Sequence, residues 1–101
     1  MRQIPFEDVG MSIDLPGNGK IVLVDWERLR DEPSQQRNVF RLDERGEIVW
    51  QVGDYKPMPG RSTFTNIYFD EHGNLLGYNF DGGEYEIDVE TGAVGPSRLM
   101  K

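Results

Sequence analysis

Thr63 to Ala93 reads TFTNIYFD, EHG, NLLGYNF, DGG, EYEIDVE, TGA: three extended runs separated by short turns that carry glycine. Runs rich in β-branched and aromatic residues between such turns predict antiparallel strands joined as hairpins. With Gly82-Gly83 as a two-residue turn, Phe80 pairs with Tyr85, Tyr78 with Ile87 and Leu76 with Val89, so these apolar side chains share one face. The other face of the last run then carries Glu84, Glu86, Asp88 and Glu90, beside Asp81 and Asn79. Two registers stand at His72-Gly73. A two-residue loop brings Ile67 and Phe69 to the core face, and a three-residue loop brings Phe64 and Tyr68 there instead.

The chain upstream repeats this fabric. Val9, Met11, Ile13 and Leu15 alternate along one face of a half-buried strand, Pro16-Gly17-Asn18-Gly19 supplies a turn, and Ile21 to Val24 returns. Trp26 to Asp31 is the only helix-like stretch, cut short by Pro33. Around Glu44-Arg45-Gly46 a three-residue loop, with Gly46 left-handed, sets Leu42 opposite Ile48 and Phe40 opposite Trp50. Gly53 to Ser62 holds two prolines and two glycines and is predicted as a surface loop that exposes or tucks away Tyr55 and Met58. The expected fold is mainly β: one domain over residues 1–101, an antiparallel meander of about seven strands forming a sandwich or a partly open barrel.

The chemistry excluded is clearer than the chemistry implied. Hydrophobic residues make up 37% and aromatic residues 11%, enough for a folded core despite a net charge of -7. Eighteen Asp and Glu against eleven scattered Lys and Arg would repel a phosphate backbone, so no nucleic-acid partner is expected. The absence of cysteine removes disulfides, thiolate nucleophiles and Cys-based zinc sites. The longest apolar run, Ile21 to Val24, falls far short of the ~20 residues of a membrane helix. The opening MRQIPFED has no apolar signal core, so a cytoplasmic, membrane-free protein is expected.

No catalytic residue, metal ligand or cofactor is expected. His72, the sole histidine, falls at a hairpin tip without partners. Gly17-Asn18-Gly19-Lys20 lacks the spacing and the following helix of a phosphate loop, and Asp70 to Asn74 lacks the EF-hand pattern. Nothing selects an acid pair from eighteen carboxylates.

One pattern recurs: an apolar residue, an aspartate, one to three spacers and a glycine leading into another apolar run. It appears at Leu42-Asp43-Glu44-Arg45-Gly46, Phe69-Asp70-Glu71-His72-Gly73 and Ile87-Asp88-Val89-Glu90-Thr91-Gly92. The pattern resembles the repeat of quinoprotein-type β-propeller blades, with Trp50 in the first copy and Thr91-Gly92 in the last. The likeness covers about half the chain and implies a blade-like meander without a quinone. A propeller needs roughly four to eight blades of about 40 residues, which this chain does not supply alone.

These features lead to an expectation of binding without catalysis. Glu84, Glu86, Asp88 and Glu90 either form a solvated face that blocks edge pairing, or present a negative field to a basic protein while Tyr55, Phe64 and Tyr68 anchor the contact. Size, charge and lack of cysteine are similar to those of small acidic immunity proteins, which implies an intracellular inhibitor of a basic partner such as a toxin. Two rivals stay open. Trp50, Phe69, Tyr78, Phe80 and Tyr85 would line a pocket in a small-molecule module, and an oligomerising structural unit would form a homo-oligomer.

Overall fold

The structure is a computed structural model that describes residues 4, 6–17, 19–28, 37–53, 63–80 and 82–99. Tyr55 and Met58, like Asn18, Asp81 and the end of the Trp26 to Asp31 stretch, lie outside the described residues. Eight strands follow one another: β1 (Val9–Asp14), β2 (Lys20–Val24), β3 (Val39–Leu42), β4 (Ile48–Gln51), β5 (Phe64–Phe69), β6 (Leu75–Asn79), β7 (Gly83–Ile87) and β8 (Val94–Leu99). They make two antiparallel four-stranded meanders, β1-β2-β3-β4 and β5-β6-β7-β8. The expected mainly β meander is therefore present, with eight strands rather than about seven. Among the described residues there are two 3-10 turns, Phe6–Asp8 and Trp26–Arg28, the second at the start of the helix-like stretch expected from Trp26.

The sheets meet face to face. Ile21, Leu23, Val39, Trp50 and Val52 from the first half pack with Phe64, Ile67, Leu75, Tyr85 and Ile87 from the second in one core. Of the two expected closures, the sandwich is the one formed. Inside the interface sits an enclosed amide, Asn38, which is 1% exposed. Its Nδ2 donates to the carbonyls of Val24 (2.8 Å) and Phe64 (2.9 Å), and its Oδ1 accepts the Phe64 N–H at 2.9 Å. This side chain joins the end of β2 to the start of β5, so it fixes one sheet against the other.

Bulges decide which residues face the core. Leu42 lies opposite Ile48 as expected, but an extra residue, Val49, then sets Arg41 opposite Trp50 and Phe40 opposite Gln51. The expected Phe40–Trp50 pair is thus replaced. A bulge lets Trp50 turn into the shared core while Phe40 and Leu42 join Val22 and Val24 on the outer face of the first sheet. Gly10 does the same in β1: Val9 pairs with Val24, and Met11 pairs with Leu23. Val9 therefore leaves the face it was expected to share with Met11, Ile13 and Leu15, and packs with the outer cluster.

The largest correction concerns β6 and β7. Tyr78 pairs with Glu84, Gly77 with Tyr85, Leu76 with Glu86 and Leu75 with Ile87. This is a shift of three residues from the expected pairing, and an odd shift exchanges the faces. The cause is a three-residue loop closed at Gly82, which has φ 90° and an N–H bonded to the Asn79 carbonyl. The same three-residue loop occurs at Gly46 and Gly73, each left-handed and each bonded back to Asp43 or Asp70. At His72 the three-residue loop is the one formed, with Tyr68 opposite Leu76. Because the core face of β6 is the one carrying Leu75, Ile67 and Phe69 still face inward, and Tyr68 faces out.

Candidate functional site

The outer face of the second sheet can be built row by row from the register. Tyr68, Leu76 and Glu86 lie side by side across β5, β6 and β7, and the next row holds Asn66, Tyr78 and Glu84. Phe80 continues the β6 line into the turn and is 66% exposed. Leu76 is 3% exposed on this face, and Tyr68 and Tyr78 are half-buried. Short polar side chains, Thr65 and Asn66, complete the β5 border and are exposed.

The expected stripe of four carboxylates divides into three kinds. Glu84 is nearly buried, at 9% exposure, because the Tyr68 hydroxyl crosses β6 and donates to its Oε2. A charge-assisted hydrogen bond of this kind offsets part of the cost of burying a carboxylate. Glu86 stays exposed on the open face. Asp88 and Glu90 leave the period-two row because β7 ends at Ile87. Asp88 Oδ1 accepts the backbone N–H groups of Glu90 and Thr91, and Glu90 reaches Arg41 of the first sheet at 3.6 Å. The uniform outward row is therefore corrected to one sequestered acid, one presented acid and two turn acids.

The expected aromatic anchors are also redistributed. Phe64 is 1% exposed and meets Tyr85 edge to face at 5.8 Å, because the extra residue Thr65 turns it into the core. Tyr68 remains on the outer face, and Tyr55 lies outside the described residues. Phe80, expected to pack inside against Tyr85, is the aromatic that the site gains. A signal for it existed in the chain: Asn79-Phe80-Asp81-Gly82 has the same spacing to glycine as Asp43 to Gly46 and Asp70 to Gly73. The five aromatics of the pocket reading do not share a cavity, since Trp50 and Tyr85 belong to the core while Tyr78 and Phe80 lie outside it.

The aspartate-to-glycine repeat has a local explanation. Asp43 Oδ1 accepts the N–H groups of Arg45 and Glu47, and Asp70 Oδ1 accepts those of His72 and Asn74. The Asn74 N–H holds the Asp70 carboxyl below the ordinary aspartate range; slight desolvation opposes it, and the Asn74 amide, the His72 N–H and the nearby His72 ring add to it. A lowered folded value means that the ionised group adds stability above the unfolded value, and that this is lost as pH falls through the folded one. Asp70→Asn is therefore expected to be less stable than the wild type near neutral pH. The gap should narrow as pH falls through the acid range, as measured by parallel urea melts. A gap that widens toward low pH would contradict the capping role.

His72 stands at its hairpin tip with Nε2 3.8 Å from Glu71 Oε1, both side chains largely exposed. Among the described residues no three His, Asp or Glu side chains are placed to hold a metal ion. Among the same residues no helix is long and apolar enough to cross a membrane. A family model described as Domain of unknown function (DUF7957) matches residues 12–99. No curated protein and no solved structure matches the chain.

Proposed function

The chain belongs to the DUF7957 family, whose match takes in strands of both sheets, and from that premise we propose a non-catalytic protein that binds a basic protein surface through the outer face of β5 to β7. In its sharpest form this is an inhibitor of the immunity type, with a cationic enzyme or toxin as partner. One observation carries the reading: Tyr68, Tyr78 and the 66% exposed Phe80 line one face, with Glu86 exposed beside them. Aromatic side chains supply most of the energy at protein interfaces because they bury much area at small entropic cost. The net charge of -7 favours encounter with a basic surface and disfavours an acidic one.

The test is capture from a lysate of the source organism with wild type, Phe80→Ser and Glu86→Lys. Both substitutions fall at exposed positions, so the fold is expected to survive each. A basic protein should be retained by the wild type at about 0.1 M salt and lost near 1 M, where the screening length falls from about 10 Å to about 3 Å. Both variants should retain less of it. Absence of any basic partner at low salt, or equal capture by all three proteins, would overturn the proposal.

A further inference from the structure

The outer face of the first sheet carries a groove apart from the candidate interface on the second. Val22, Val24, Phe40 and Leu42 form a buried cluster there, with Ile4, Val9 and Ile48 packed against it. A groove of about 360 Å³ runs over Val22 and Leu42, walled by Ile4 and Val9 and edged by Ser12, Lys20 and the turn from Asp43 to Gly46. Lys20 is half-buried. Arg28 pairs with Asp8, Arg37 donates to the Val52 carbonyl, and Arg41 meets Val89 and Glu90. The Lys20 ammonium has no hydrogen bond or ion pair among the described residues, although Asp14 is its neighbour in register. Of the acids at the groove edge, Asp43 already accepts two backbone N–H groups through Oδ1, and Glu44 is exposed.

A half-buried cation that makes no ion pair among the described residues, beside an apolar floor, suits a ligand of opposite charge with an apolar body. We propose that this groove binds a small amphiphile with one carboxylate head, the head on the Lys20 ammonium and a hydrocarbon body over Val22 and Leu42. The volume lies at the small end of ligand pockets, which limits the body to about eight carbons.

Methyl-detected NMR titration with octanoate, octylamine and octanol tests the proposal. Octanoate should shift the methyl signals of Ile4, Val9, Val22 and Leu42 saturably and bind about fivefold more tightly than octanol, the scale of one partly screened charge pair. Octylamine should bind more weakly than either. Lys20→Met should abolish the preference for octanoate over octanol, and Lys20→Arg should keep it. Octanoate that leaves the groove methyls unmoved, octylamine that binds as well as octanoate, or a preference that survives Lys20→Met would each overturn the assignment.

Discussion

Asn38→Ala is expected to lower stability by about 3–5 kcal/mol, because it strands several buried backbone groups at once. The Val24 and Phe64 carbonyls each lose the Asn38 donor and the Phe64 N–H loses the Asn38 acceptor, all within the junction of the two sheets. Each stranded group costs roughly 1–3 kcal/mol, and the sum is less than three full penalties because the site relaxes together. For a domain of this size the melting temperature should fall by at least about 12 °C. Asn38→Asp keeps the acceptor for Phe64 N–H but sets a carboxylate against two carbonyl oxygens, so at neutral pH it should be no more stable than alanine. A loss below about 1 kcal/mol for alanine would show that the amide does not hold the sheets together.

Gly92→Ala should rank next, at about 3 kcal/mol, and its cost has two separable parts. Gly92 adopts φ +80°, where a side chain costs about 1–2 kcal/mol. A Cβ there would also lie 2.7 Å from the Trp50 ring, which must move. That ring donates from Nε1 to the Val89 carbonyl at 2.8 Å, and Arg41 Nη1 donates to the same oxygen at 2.8 Å. Displacing the indole therefore weakens a polar clamp as well as the core. Gly46→Ala is the control, because Gly46 has φ +84° with nothing within 4 Å of the added carbon. It should cost only the conformational part. Equal losses for the two variants in urea melts would mean that the contact with Trp50 contributes nothing.

Both effects arise where the two halves of the chain meet, and the sequence names the distant partner of neither position. Asn38 is an ordinary asparagine beside a strand, and Gly92 is one of twelve glycines. Their importance comes from partners 26 and 42 residues away in Phe64 and Trp50, which no local pattern names. Phe80 shows the opposite failure. The loop that exposes it follows the same glycine spacing as its neighbours, so the information was local, but Gly82-Gly83 offered an equally good two-residue turn. The site inherited that ambiguity: a shift of three residues moved Phe80 out and paired Leu76 and Tyr78 with carboxylates instead of apolar residues.

By itself the sequence determined that the chain is mainly β, antiparallel, and punctuated by aspartate-capped glycine turns. Such turns are closed by hydrogen bonds over two to five residues, and strand propensity acts residue by residue, so both are written locally. Only the tertiary structure decided which side of each strand became interior. Single extra residues at Gly10, Val49 and Thr65 invert a face without altering the apolar pattern much, so the local pattern does not locate them. These bulges placed Trp50 and Phe64 in the core, while the turn closed at Gly82 set Glu84 under Tyr68 and left Glu86 and Phe80 in solvent.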